Sequence, residues 1–201
     1  MLFGPLFTAG VDARARRDMR HATAARAPLL TPRMHLRGPA PDESDALLAV
    51  ASASGLFEPG EVDQLLGAAL TSWHAGTLGA GHALRVACGS SAEESRVLGW
   101  SYVAPAEGNQ DEGALAFELL WVGVAPDARR AGVGAALLAD AERTARAAGA
   151  ASLRIRTSTQ QETAAARALY AKSGYALHGD AVPDYYGPGV HGLEFRKQLD
   201  M

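Results

Sequence analysis

Hydrophobic and polar residues follow two different periods along this chain, and the two periods predict strands and helices. Alternation, as at 33–38, 82–88 and 152–157, and β-forming composition, as at 114–124, are typical of strands. Strands are predicted at 33–38, 82–88, 96–105, 114–124, 152–157, 175–179 and 192–199. Apolar residues three and four positions apart predict helices at 41–55, 58–76, 132–148 and 159–172.

The order of these elements is β-α-α-β-β-β-α-β-α-β-β. Antiparallel hairpins come first and a β-α-β crossover follows them. We therefore expect an α/β (α+β) fold, with a mixed, mostly antiparallel central sheet of about six to seven strands flanked by about four helices.

Local signals define the two later helices. Glu142 and Arg146 are four residues apart on the side away from the apolar stripe, which predicts an exposed ion pair, and Gly149 ends this helix. The segment 159–162, Thr-Gln-Gln-Glu, is typical of a capping box that opens the last helix, and Gly174 is predicted as the residue that follows it.

Composition narrows the class of protein. The 201 residues are 48% hydrophobic and carry a net charge of -3, with no sustained basic face, so neither nucleic acid nor a membrane is an expected partner. The chain has one cysteine, Cys88, in an alternating apolar segment typical of a core residue. Its histidines lack ligand spacing, and we expect no metal. A cytoplasmic protein is predicted.

The first 32 residues differ from the rest, and we expect the folded domain at 33–201. They are rich in arginine, contain only Asp12 and Asp18 as acids, and show no sustained periodicity. An organelle transit peptide has this composition, and so does a disordered extension, which is the interpretation we favour.

The segment between the strand ending near Val124 and the helix beginning near Gly132 combines arginine with glycine. Arg129, Arg130, Gly132 and Gly134 lie at a helix N-terminus, where free N–H groups and the helix dipole attract phosphate. A P-loop would need a following Lys-Ser/Thr, and a Rossmann turn would need a third glycine. Neither is present, and the pattern predicts a pyrophosphate site of another kind.

The sequence Arg129-x-x-Gly132-x-Gly134, placed between a strand ending in Val-Ala-Pro and a helix, resembles the acetyl-CoA motif of the GNAT superfamily of N-acetyltransferases. A second GNAT signature is Asn-x-x-Ala-x-x-Leu-Tyr followed by Gly-Phe or Gly-Tyr. Here "TAAARALYAKSGY" is similar to it, with Tyr170 at the tyrosine position and Thr163 in place of the asparagine.

The resemblance implies a fold, a cosubstrate and a reaction. We expect a GNAT-like acyltransferase that moves an acetyl group from acetyl-CoA directly to a primary amine in a ternary complex. Glu118, a carboxylate within the apolar strand segment 114–124, is the expected general base, although it could instead face solvent or hold a structural salt bridge. Tyr170 is the expected general acid, although it could simply pack on the sheet.

The resemblance also implies the binding residues. The strand backbone at Val122 and Val124 would receive the pantetheine and the oxyanion, and the helix start would hold the pyrophosphate. The expected cofactor contacts are Val122, Val124, Arg129, Arg130, Ala131, Gly132, Val133, Gly134, Ala135 and Thr163. Tyr185 and Tyr186, in a loop before the last strand, are the expected acceptor contacts.

Three questions stay open at the level of sequence. The chain could be a non-catalytic module that binds or senses acyl-CoA, or it could use a different acyl-CoA donor. The acceptor amine could belong to a small molecule or to a protein. An apolar last strand could pair with a second subunit to form a homodimer.

Overall fold

A computed structural model of the chain describes residues 34–53, 60–89, 96–107 and 114–200. The predicted N-terminal extension, 1–32, lies outside these residues. Within them, the elements occur in the predicted order, and the predicted fold class is confirmed.

The strands pair into one sheet. They are β1 (Met34–Arg37), β2 (Ala83–Gly89), β3 (Val97–Pro105), β4 (Ala116–Val124), β5 (Ser152–Ser158), β6 (Ala176–Leu177) and β7 (Gly192–Gln198). Their spatial order is β1-β2-β3-β4-β5-β7-β6. Every neighbouring pair is antiparallel except β4 and β5, which are parallel.

The helices of the described residues lie close to their predicted positions. They are α1 (Ser44–Ser52), α2 (Ala68–His74), α3 (Val133–Ala147) and α4 (Ala164–Lys172). A π-helical turn, Asp63–Gly67, leads directly into α2. Helix α3 is the crossover between β4 and β5, which is the connection that a parallel pair requires.

Two hydrophobic clusters form the core, and α3 contributes to both. Leu137 packs in the cluster that β1–β3 form with α1 and α2, while Leu138 packs in the cluster formed by β4, β5, β7 and α4. The other predicted stripe residues, Val133, Ala141 and Ala145, are also buried. Ala148 was predicted on this face but is exposed, because α3 has already ended there.

The C-terminal helix signals are confirmed. Gly149 and Gly174 have φ angles of 80° and 86°, and each follows its helix with the paired hydrogen bonds of a Schellman motif. The capping box predicted at 159–162 is wrong. The hydroxyl of Thr159 instead accepts a hydrogen bond from the backbone N–H of His191, at 3.0 Å, so it ties α4's leading turn to β7.

The Glu142–Arg146 pair forms at 3.1 Å, but its predicted exposure is wrong, because Glu142 is buried. Lys197 of β7 donates to both oxygens of Glu142, at 2.8 and 2.9 Å. The sequence spacing within α3 could not indicate this third partner.

Truncating the core at α3 should destabilise the whole domain. Leu137 is 0% exposed, and we expect Leu137→Ala to lower the free energy of unfolding by about 2–5 kcal/mol. Leu177→Ala is the matched control, since Leu177 is 55% exposed and the same deletion there should change stability by less than about 0.5 kcal/mol. Urea unfolding measures both; equal losses would contradict the described packing.

Candidate active site

Strands β4 and β5 separate partway along their length. Their register pairs run from Ala116 with Ser152 to Leu119 with Ile155, and both strands continue beyond the last pair. A β-bulge begins the separation, because Tyr102 and Val103 of β3 pair with Trp121 and Leu119 and leave Leu120 as the extra residue. The gap beyond Leu119 and Ile155 is termed the β4–β5 cleft.

Backbone groups of β4 point into this cleft. The N–H of Ala125 donates to the carbonyl of Leu98 on β3, at 2.9 Å. Because N–H groups alternate sides along an antiparallel strand, those of Val122 and Val124 point away from β3 and towards the cleft. The Val124 carbonyl accepts a hydrogen bond from Arg129 Nε at 3.5 Å.

The glycine-arginine turn follows directly at the end of β4. Arg130 and Gly132 both adopt the left-handed conformation, with φ angles of 64° and 85°. Ala136 donates its N–H to the carbonyl of Gly132 at 3.0 Å, so the N–H groups of Val133, Gly134 and Ala135 lie ahead of the helical ladder. Arg129, Arg130, Ala131 and Gly132 are exposed, which leaves the turn open to an anion.

The two glycines of this turn are required for different structural reasons. Gly132 is needed for its left-handed backbone, since a Cβ there would meet nothing within 4 Å. At Gly134 a Cβ would lie 3.1 Å from Leu169 Cδ2 on α4. The sequence interpretation placed both glycines among the cofactor contacts, whereas the close contact at Gly134 is between two helices.

Thr163 is buried at the start of α4, and its hydroxyl is engaged within the protein. It lies 2.8 Å from the Ser158 carbonyl and 2.9 Å from the Gln160 carbonyl, and it accepts a hydrogen bond from Arg167. Any contact from this side chain to a cofactor would have to replace one of these bonds.

Tyr170 lies on α4, in the hydrophobic cluster that also contains Leu119 and Ile155, the last pair before the cleft. Its ring packs against Phe195 at 5.8 Å and Tyr175 at 6.3 Å. Among the described residues, no hydrogen bond is recorded for its hydroxyl. Burial raises the pKa of Tyr170 to about 12, so the phenol is protonated at neutral pH.

Glu118 is buried on β4, with its side chain 9% exposed. Arg154, its register partner on β5, lies 2.8 Å (Nε) and 2.7 Å (Nη2) from Oε2. Arg156 Nη2 donates to the same oxygen at 3.0 Å. The sequence left open that Glu118 faces solvent or holds a salt bridge. In the structure it does not face solvent, and it does form a salt bridge.

A cavity of about 420 Å³ lies over β5 and β7 and contains the two predicted acceptor residues. Its lining includes Tyr185 and Tyr186, whose rings lie edge to face at 4.8 Å, and Arg154 and Arg156, of which Arg156 shares a side-chain hydrogen bond with Tyr185. Its other lining residues are His178, Asp180, Val182, Gly192, Leu193, Glu194 and Arg196. The structure thus brings Tyr185 and Tyr186 to the arginines that hold Glu118.

Sequence reasoning missed Arg154 and Arg156. The alternation of Leu153 and Ile155 with these arginines did place both on one face of β5. Their partner could not be identified, since the parallel register between β4 and β5 is set by the crossover helix and the core.

A larger concavity of about 890 Å³ lies between α1 and the segment 125–127. Four of its five charged residues pair with one another, Arg37 with Glu43 and Arg96 with Asp127. Neither Glu118 nor Tyr170 lines it, so it is set apart from the β4–β5 cleft.

No group of three or more His, Cys, Asp or Glu side chains in the described part of the chain is arranged to hold a metal ion. No helix among the same residues is long and apolar enough to span a membrane.

Comparison with known families identifies the domain. Residues 86–177, which include the cleft, the glycine-arginine turn and Tyr170, match the family model of the acetyltransferase (GNAT) domain. This segment of the chain thus matches a GNAT acetyltransferase domain, as its two motifs predicted. No curated protein sequence matches the chain significantly.

Solved structures share the fold at low sequence identity. A Desulfovibrio desulfuricans protein assigned to the GNAT family is 24% identical, with a TM-score of 0.67 over 83% of this chain and 99% of that one. A chain of the NatC complex bound to Gag peptide and CoA is 13% identical, with a TM-score of 0.65 over 83% and 99%. The Salmonella typhimurium protein yncA with acetyl-CoA is 17% identical, with a TM-score of 0.60 over 83% and 94%.

The two arginines on Glu118 should differ in their effect on stability. Arg154 is 6% exposed at its side chain, and we expect Arg154→Gln to lower the free energy of unfolding by about 3 kcal/mol, because it breaks a buried pair. Arg156 contacts the same oxygen but is 39% exposed, so Arg156→Gln should cost at most about 1 kcal/mol. Denaturant unfolding compares the two variants, and the reverse ranking would show that Arg156 is the structural partner.

Proposed function

We propose that the protein is an N-acetyltransferase that moves the acetyl group of acetyl-CoA directly to the nitrogen of a primary amine. The observation that carries this proposal is the β4–β5 cleft, which opens beside the glycine-arginine turn and next to Tyr170. A thioester with a long amide-containing arm and a pyrophosphate has the chemistry that such a cleft can accept.

The cosubstrate would bind mainly through backbone groups. The N–H groups of Val133, Gly134 and Ala135 would donate to the pyrophosphate, with charge added by Arg129 and Arg130. The strand backbone at Val122 and Val124 would pair with the amides of the pantetheine arm, much as a neighbouring strand would. The strand N–H groups of the same segment, 122–124, also offer a hydrogen bond to the thioester carbonyl oxygen, which becomes negative in the tetrahedral intermediate.

The reaction needs no covalent enzyme intermediate. The neutral amine attacks the thioester carbonyl carbon, a C–N bond forms, and the C–S bond breaks when the tetrahedral intermediate collapses. The amine loses one proton to a base and the departing CoA thiolate gains one from an acid, so the products are the acetamide and free CoA thiol.

Tyr170 is the proposed acid. Its protonated hydroxyl, with no bond recorded among the described residues, is free to donate to the thioester sulfur. Glu118 is the proposed base, acting directly or through water. All hydrogen bonds recorded for its carboxylate end on Oε2, so Oε1 is the oxygen available to a proton.

The test is a thiol-release assay with acetyl-CoA and a panel of primary amines. We expect Glu118→Gln and Tyr170→Phe each to lower kcat about 100-fold while acetyl-CoA still binds. The controls are Glu142→Gln, another buried carboxylate paired with cations, and Tyr175→Phe, which removes a hydroxyl from the same ring cluster. Controls as slow as the site variants would contradict these roles, and failure to bind acetyl-CoA would contradict the proposed function.

Cosubstrate affinity should depend on the conformation of the turn. Gly132→Ala forces a side chain into a left-handed backbone, and we expect a loss of about 1 kcal/mol in stability and an acetyl-CoA Kd raised about five-fold. Gly149→Ala imposes the same strain at the other end of α3, with nothing within 4 Å of either Cβ. It should match the stability loss and leave the Kd unchanged, as titration calorimetry would show; an equal rise in Kd would count against the turn as the binding site.

A further inference from the structure

The cluster around Glu118 carries more positive than negative charge. Two guanidinium groups, of Arg154 and Arg156, share a single carboxylate oxygen. Arg154 is enclosed and also donates to the carbonyl of Glu107 at 2.9 Å, so its hydrogen bonding serves the fold. Arg156 is 39% exposed at its side chain and forms part of the cavity wall.

Arg156 has donors to spare for a ligand. A guanidinium has five N–H groups; Nη2 donates to Glu118 and a further hydrogen bond joins the group to Tyr185, so N–H groups remain for a ligand. Burial opposes its charge, but Glu118 and Tyr185 outweigh that effect and raise the pKa of Arg156 above its ordinary value. It is a permanent cation beside two aromatic rings.

Among the cations that line this cavity, Arg156 is the one best placed to bind an anion, because the others are paired or enclosed. Arg196 is paired with Glu194 at 2.8 Å, so these two compensate each other within the wall. Asp180 is exposed on the loop between β6 and β7, and no ion pair is recorded for it among the described residues. His178 also lines the cavity. The cavity thus offers one cationic and one anionic position.

We propose that the acceptor is a small amine that also carries a carboxylate, as an amino acid does, and that Arg156 binds that carboxylate. This inference rests on the proposed function, because it names the acceptor class of the same site. A carboxylate matches the planar fork of a guanidinium, and its attachment to Arg156 holds the amine close to Glu118, the proposed base.

The size of the cavity favours a small-molecule acceptor over a protein. A volume of about 420 Å³ suits a small molecule, and the two tyrosine rings provide apolar contact for its side chain.

The experiment compares matched amines. Each of several L-amino acids is assayed with acetyl-CoA beside its decarboxylated amine and its carboxamide, using the full chain. We expect kcat/KM for the amino acids to exceed that of both analogues at least about 10-fold. Arg156→Gln should lower kcat/KM for the amino acids about 30-fold, mainly through KM, and for the decarboxylated amines less than about three-fold.

Two further variants separate carboxylate binding from support of Glu118. Arg156→Lys keeps the charge but loses the fork, and it should retain part of the preference for amino acids. Arg143→Gln removes a charge from the exposed side of α3 and should leave all rates unchanged. If Arg156 only positioned Glu118, Arg156→Gln would slow amino acids and decarboxylated amines equally, and that result would overturn the inference.

Binding of the same amines to the CoA-saturated protein is measured in parallel by calorimetry. Equal affinity for the amino acids and their decarboxylated amines would overturn the inference, as would equal turnover. Acetyl-CoA binding without thiol release from any amine would tell against the proposed function. In that case calorimetry would still test the inference: tighter binding of the amino acids than of their decarboxylated amines, lost in Arg156→Gln, would support it.

Discussion

Strands β4 and β5 lie side by side only from Ala116 to Leu119, after which their backbones part. The rest of the site depends on this short parallel pairing. Parallel strands require a crossover, and α3 supplies it, so the first turn of that helix necessarily lies at the end of β4 where the sheet opens. The same opening leaves β4 backbone groups without a strand partner, and these are polar groups that a ligand can satisfy.

The ion cluster at Glu118 joins the cleft to the cavity beside it. A buried carboxylate is costly unless it is paired, and Arg154 offsets that cost from the neighbouring strand. Arg156 contributes less to this compensation because it is partly in water, which leaves it available for recognition. Glu118 therefore has two cationic neighbours that differ in exposure. The buried Arg154 compensates its charge, and the more exposed Arg156 remains accessible.

Much of the fold was predictable because its signals are local. The strand segments are β-forming, the α3 stripe is continuous, and glycines at 149 and 174 end their helices. Features set by distant partners were not predictable: the burial of Glu142 depends on Lys197, and the Thr159 hydroxyl serves β7 in place of a capping box. At the site, sequence motifs predicted the glycine-arginine turn and Tyr170. The contact of Arg154 and Arg156 with Glu118 could not be predicted, because it depends on the register between two strands that α3 separates in sequence.

The close approach of Gly134 to Leu169 means that the two GNAT signatures of this chain form a single mechanical unit. Leu169 is the residue before Tyr170, and a side chain added at position 134 would require the end of the Leu169 side chain to give way by a few tenths of an ångström. Substitutions at positions 134 and 169 are therefore coupled. Mutational libraries that vary the two stretches separately would miss the compatible pairs.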